Sequence, residues 1–256
     1  FYPKAPGENI FAYLWARTVA CPVTGKPVPL SPNWWLSKGR RKSQSKTAVR
    51  VLTDPAWEEP HFEIVRGEEI DFDPNEGTVS RGVGRSPWTG DTIDSDYIKE
   101  EAQAGRMGQI LYTVVYKQGR SKRFRAPSEE ELQAISAAES RLLSILPEWQ
   151  AQGIIPTESF PKGNDPRPLL YGMDTWSDMF SPRQLLAMGT FVEELQNLRG
   201  EMESSIGTEK AAAVETYLAM AVDKAADYNC ILATWEVTRQ GVKHLFKRHD
   251  FAFSWS

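Results

Sequence analysis

Two short segments carry residue types at a spacing that belongs to metal chemistry. Cys21-Pro22-Val23-Thr24-Gly25 and Ser86-Pro87-Trp88-Thr89-Gly90 share Pro-x-Thr-Gly, and a polar residue follows each. With cysteine at positions 24, 86 and 89 the pair would read CPxCG…CPxCG, the double knuckle of a zinc ribbon. Each knuckle turns tightly so that two thiolates face one ion, and four sulfurs supply the tetrahedral site zinc prefers. Only Cys21 of the four positions is cysteine. Hydroxyls stay protonated and hard and make poor zinc ligands. The expectation is a ribbon-like fold without its metal; the alternative is that two Pro/Gly turns recur by chance.

The second chemistry is electrostatic. Residues 1–53 hold nine Lys/Arg and one acid, 54–103 four and fourteen, 104–126 six and none, and the remainder eleven and nineteen, for a net charge of −4. Clustered like charges repel, so two basic blocks in an acidic chain call for a neutralising partner. Lys38, Arg40, Arg41, Lys42 and Lys46 follow Trp34-Trp35. Lys117, Arg120, Lys122, Arg123 and Arg125 surround a predicted hairpin turn flanked by Tyr116 and Phe124. Such cations neutralise phosphates, and a basic hairpin fits the major groove, where Arg reads guanine. These ten residues are the candidate DNA-binding set. The competing reading is a solvated surface paired with the acidic 54–103 block.

Other chemistry-bearing residues point to nothing catalytic. His61, His244 and His249 are too scattered for a metal triad. Cys230 has no companion implying a nucleophile and reads as a buried thiol. Glu129-Glu130-Glu131 suits a helix N-terminus. Gly82-Val83-Gly84 is followed by Ser86-Pro87 rather than a helix, so it reads as a turn and not a cofactor loop. No catalytic and no metal site is assigned.

The elements expected to position these residues divide near Pro127. The first part reads as short strands: Leu14 to Ala20, Trp34 to Ser37, Thr47 to Leu52, Phe62 to Arg66 and Thr78 to Gly84, split by Pro, Gly and charged turns. Asp94 is placed to cap a helix to about Met107 with Gly108 as its stop. Gln109 to Lys117 is the strongest strand, with Ile110, Tyr112, Val114 and Tyr116 on one face and Leu111, Thr113 and Val115 on the other. Gln118-Gly119 turns into a basic strand, Lys122 to Arg125. The second part reads as helical. Ser128 with Glu131, and Ser181-Pro182 with Gln184, are capping boxes. A loop is expected from Pro147 to about Gly172. Thr208 is expected to cap a helix with Val214, Leu218, Ala221 and Ala225 inside, and Glu236 to Arg248 to form a fourth helix. Residues 251–256 alternate aromatics in the period of a strand.

Five segments, in one order along most of the chain, resemble the zinc-ribbon-containing adenine-specific DNA methylases, a family associated with phage defence. They are Tyr13-Leu14-Trp15-Ala16-Arg17-Thr18-Val19 running into Cys21-Pro22; Trp34-Trp35-Leu36-Ser37-Lys38; Ala104-Gly105-Arg106-Met107-Gly108; Tyr171-Gly172-Met173 with Phe180-Ser181-Pro182-Arg183-Gln184-Leu185; and Tyr217-Leu218-Ala219 leading into Val222-Asp223-Lys224-Ala225-Ala226-Asp227-Tyr228-Asn229. The chain departs from the family in its ribbon cysteines, so zinc is not carried over. It also lacks the glycine loop that binds S-adenosylmethionine and the Asp/Asn-Pro-Pro-aromatic tetrad that grips a flipped base. Asp54-Pro55, Asp73-Pro74 and Asp165-Pro166 each lack the second proline. The resemblance implies a segment lying between those two motifs in a larger parent.

The resulting expectation is an α+β chain, with a β-rich, degenerate zinc-ribbon-like region over 1–126 and a helical region over 127–256. It is a cytoplasmic DNA-binding, target-recognition segment of an S-adenosylmethionine-dependent adenine methyltransferase, inactive alone. The cofactor belongs to the parent, DNA is the partner, and no membrane is involved. A protein-interaction module of a phage-defence complex is the alternative. Two cysteines, Cys21 and Cys230, make no disulfide framework.

Overall fold

The computed structural model describes residues 1–3, 7–39, 45–163, 166–247 and 255. The chain is α+β: strands dominate its first half and helices its second. The long strand β1 (Asn9–Ala20) pairs antiparallel with the short edge strand β2 (Pro27–Leu30). Two prolines in β2 disguise it as a loop in the sequence. An edge strand tolerates them because one side needs no ladder donors. A second sheet forms from β3 (Trp35–Lys38), β4 (Lys46–Leu52) and β5 (His61–Arg66), in that order. The expected strand over 78–84 is instead a tight hairpin, β6 (Val79–Ser80) and β7 (Val83–Arg85), to which β8 (Thr92–Ile93) adds. Arg81 and Gly82 both have positive φ, 52° and 85°, as a two-residue turn matching the twist of its strands requires.

Helix α1 (Ser95–Gln103) follows Asp94 but ends short of Met107. Gly105 turns the chain with φ of 69°. Gly108, expected as a helix stop, opens β9 (Gly108–Gln118). β9 lies between β1 and β10 (Ser121–Arg125), completing the sheet order β10-β9-β1-β2. The faces expected for β9 do not hold along its length. The register against β1 shifts between Leu14 and Trp15, leaving Tyr112 as an extra residue. Such a bulge interrupts the two-residue alternation. Tyr112 and Val115 therefore share one core, with Leu14, Trp34, Leu36, Val49 and Phe124 between the two larger sheets.

Both capping boxes form. Ser128 accepts from the Glu131 amide at the start of α2 (Glu129–Ala151), and Ser181 from the Gln184 amide at the start of α4 (Pro182–Ile206). Between them lies the short α3 (Arg167–Leu170). α2 runs through Pro147, where a loop was expected. A proline inside a helix costs a hydrogen bond and crowds the preceding turn. Here tertiary packing holds the last turn. Trp149 is buried against Gly189 of α4, and its indole N–H donates to Glu193 at 2.9 Å.

α5 (Thr208–Tyr228) is capped by Gly207, not Thr208, which is the first helical residue. Its expected inner stripe is not a core: Val214 and Leu218 are 39% and 40% exposed. The helix expected over 236–248 is instead a hairpin of β11 (Thr234–Glu236) and β12 (Gly241–Lys243), then a 3-10 turn at Leu245–Lys247. Trp235 pins this hairpin onto the first half. It packs edge-on against Phe11 and Phe124 and donates to the Leu36 carbonyl at 3.0 Å. Burial of a large ring outweighs weak helical periodicity. Residue 248 and the expected terminal strand lie outside the described residues, apart from Trp255, whose ring meets Tyr171. Among the described residues no helix is long and apolar enough to cross a membrane.

Candidate nucleic-acid interface

The basic blocks become the ends of two β-hairpins. Lys38 stands directly opposite Lys46 in β3–β4, and Lys117 directly opposite Lys122 in β9–β10. Facing like charges destabilise a strand pair, so each hairpin carries a local electrostatic cost at its loop end. Arg40, Arg41 and Lys42, in the connection between Lys38 and Lys46, lie outside the described residues.

A third hairpin joins these two. The Gln240 side-chain amide donates to Ser37 Oγ at 2.6 Å, beside Lys38, while the Gln240 main-chain carbonyl accepts from Lys122 Nζ. Gln240 has a φ of 51° at the β11–β12 turn, which directs both its amide groups to neighbours. Arg66 adds a link from β5, donating to the Phe124 carbonyl at 2.7 Å. The β3–β4 and β9–β10 hairpins are thus tied together through Gln240.

The ten candidate residues divide by environment. Lys38, Lys46, Lys117, Arg120 and Arg123 are exposed, and among the described residues no carboxylate pairs with them within 4.0 Å. Lys38 lies over the Trp35 ring and Lys117 over Phe11. Lys122 turns inward: its ammonium sits 3.8 Å from the Phe11 ring centroid, and desolvation, helped by Lys117, pulls its pKa down. Arg125 is occupied on two edges. It holds Glu8 at 2.9 Å and Glu131 at 2.7 Å, and this clamp fastens β10 to the N-terminus of α2. Pairing with the acidic block, the competing reading, holds for Arg50, which meets Glu63 and Asp71. It does not hold for the five exposed cations.

The Pro-x-Thr-Gly segments are brought together. Their backbone hydrogen bonds are the same. The Cys21 amide donates to the Lys26 carbonyl and the Gly25 amide to the Cys21 carbonyl, both at 2.8 Å. The Ser86 amide donates to the Asp91 carbonyl at 2.9 Å and the Gly90 amide to the Ser86 carbonyl at 2.8 Å. Gly25 and Gly90 take φ of 73° and 80°, a region open to glycine at no steric cost. Thr24 and Thr89 each accept from the amide two residues on, at 3.3 Å. Ser86 Oγ donates to Cys21 Sγ at 3.3 Å, with both residues buried. Burial alone would raise the Cys21 pKa. Bonds from the Ser86 and Thr24 hydroxyls and from the Thr24 and Val23 amides outweigh it and bring the thiol down to about 7. Among the described residues no group of three or more His, Cys, Asp or Glu is placed to hold a metal ion.

The remaining candidates are structural. His61 stacks on Trp57 with centroids 4.1 Å apart. His244 meets Asp227, whose carboxylate also accepts from Lys224 and from the Phe246 amide. Burial raises the Cys230 thiol pKa. Gly82 and Val83 belong to the β6–β7 hairpin. Sequence reasoning missed Gln240, because a lone glutamine before a glycine carries no signal of a bridging role. No family model, curated protein or solved structure matches the chain.

Proposed function

We propose that this chain is a DNA-contacting, target-recognition segment of an S-adenosylmethionine-dependent adenine-specific DNA methyltransferase, with the chemistry carried by other parts of the parent. The observation that carries the DNA reading is the Gln240 bridge, which ties Ser37, next to Lys38, to Lys122, between Lys117 and Arg123 in the second basic hairpin. Phosphate oxygens would offset the repulsion between the facing lysines and release counterions from DNA. The contact set is Lys38, Lys46, Lys117, Arg120 and Arg123, together with Arg40, Arg41 and Lys42 between the first two; Lys122 and Arg125 support it from within. The link to adenine methylation rests on the five family-like segments. It predicts a glycine-rich cofactor loop upstream and an Asp/Asn-Pro-Pro-aromatic tetrad downstream in the parent, and a parent lacking both would sink it.

Changing Lys38, Lys46, Arg120 and Arg123 together to Glu tests the DNA contact by fluorescence anisotropy with a labelled duplex. Four reversed charges lower affinity by about a hundredfold or more near 0.1 M salt. The same chain with Arg81 and Arg85 reversed instead, away from both hairpins, binds as the unaltered protein does. Equal losses in the two variants would overturn the assignment of the surface.

The matched turns support reading the first half as a zinc ribbon that has lost its metal. Combining Thr24→Cys, Ser86→Cys and Thr89→Cys then yields four sulfurs around one point. Cobalt titrated into that variant gives the strong charge-transfer bands of tetrahedral thiolate coordination; a featureless spectrum would show that the turns do not face one site.

The helices favour a second reading, a protein-interaction module. α4 and α5 pack on each other but leave Phe191, Tyr217 and Met220 at 55%, 75% and 59% exposure. Contiguous exposed apolar patches mark interaction surfaces. A duplex that fails to bind at low salt would make this the primary reading.

A further inference from the structure

A cavity of about 1240 Å³ lies between the long strand β1 and the helical half. Tyr13, Trp15 and Arg17 line it from β1, and Phe180, Arg183 and Tyr228 from the other side. Arg183, at the start of α4, is only 4% exposed. An arginine this deep normally meets a carboxylate, because an unpaired buried charge is costly. Among the described residues none lies within 4.0 Å of it. Three aromatic rings surround its guanidinium instead: Tyr13 and Tyr2, with centroids 4.2 Å and 4.5 Å away, and Trp15 at 5.7 Å.

Aromatic rings attract a guanidinium but do not pair its five N–H donors, which lie in its plane. Those donors make one contact, from Nη1 to the Phe1 carbonyl at 3.5 Å, the outer limit of a hydrogen bond. Packed among three rings, the group is positioned before any ligand arrives. The Tyr13 hydroxyl beside it is buried with no hydrogen-bond partner. Of the acids along the same wall, Glu8 holds Arg125 and Asp178 holds Thr175. The third, Glu139, is exposed to solvent. Arg17, which shares this wall, is 8% exposed, and burial draws its pKa down to about 9.

We propose that this cavity binds a small organic anion, with its phosphate or carboxylate group on the edge of Arg183 and its apolar body against the aromatic wall. Bidentate oxyanions match the guanidinium fork in geometry and charge. Aromatic side chains favour a flat apolar body over a bare ion. The proposal rests on Arg183 and its surroundings and does not depend on the DNA reading.

Isothermal titration of the full chain with phenyl phosphate, benzoate and inorganic phosphate tests it. One of the two aromatic anions binds with a Kd of roughly 1 mM or tighter, and which one it is separates a phosphate from a carboxylate ligand. Inorganic phosphate binds about tenfold more weakly, lacking an apolar body. Arg183→Gln removes the charge and lowers affinity by about tenfold or more. Should that variant fail to fold, Arg183→Lys keeps the charge and the aliphatic stem but loses the fork, and still weakens binding several-fold. No binding of either aromatic anion, or affinities unchanged in both variants, would overturn the proposal.

Discussion

Arg125 and Arg123 sit two positions apart in one strand and do different work. Arg125 is wedged between Glu8 and Glu131, and the Glu131 side chain is 2% exposed. Glu131 also closes the capping box of α2, accepting from the Ser128 amide at 2.9 Å. Removing one partner of such a buried network leaves a charge stranded, so Arg125→Gln lowers unfolding stability by about 3 kcal/mol. Arg123→Gln, at an exposed and unpaired position, changes stability by less than about 0.5 kcal/mol and weakens DNA binding instead. Chemical denaturation of the two variants checks this contrast. Glu131 adds a pH signature. Burial pushes its pKa up, but bonds from Arg125 and Ser128 outweigh that and hold it below its ordinary value of 4.5. A depressed folded pKa contributes stability above the unfolded value and loses it as pH falls through the folded one. Between pH 5 and pH 3 the unaltered chain therefore loses more stability than Glu131→Gln does, and parallel denaturation curves across that range would contradict the assignment.

At the scale of elements, the joint between α2 and α4 depends on the missing side chain of Gly189. A Cβ built there would lie 2.3 Å from the Trp149 ring. Gly189→Ala gains about 1 kcal/mol of helix propensity, yet overpacking of a buried ring costs about 1–3 kcal/mol. The expected outcome is a net loss of stability and a lower Tm; a higher Tm would mean the joint is looser than its geometry. Elements whose signals are local were legible in the sequence: the two capping boxes and the strands at 47–52, 62–66 and 109–117 all form. Elements decided by distant partners were not. Pro147 reads as a breaker until Trp149 is seen seated on Gly189. Residues 236–248 read as helical until Trp235 is seen between Phe11 and Phe124. The bulge at Tyr112 depends on its pairing with β1 and leaves no trace in β9 alone.

For the whole molecule, the pattern of charge was readable but its meaning was not. Ten basic residues stood out in two blocks, and only pairing geometry separates those that hold the fold from those that face outward. Arg125 and Lys122 are drawn inward by partners far along the chain, at Glu8 and Gln240. Lys38, Lys46, Lys117, Arg120 and Arg123 remain outside. The likeness of the two Pro-x-Thr-Gly turns was visible as a repeat, but that they meet at Cys21 and Ser86 follows from β1, β2 and the β6–β8 sheet folding over one core.

The central claim is that this exposed basic surface meets a phosphate backbone, and the most direct test is duplex affinity measured across a salt series. If the five exposed cations each neutralise one phosphate, log K falls against log salt with a slope of about −4.5, and steeper if the residues between Lys38 and Lys46 join them. The variant with four of them reversed binds too weakly for such a slope to be seen. Affinity that is absent at low salt, or that does not change with salt, would contradict the account.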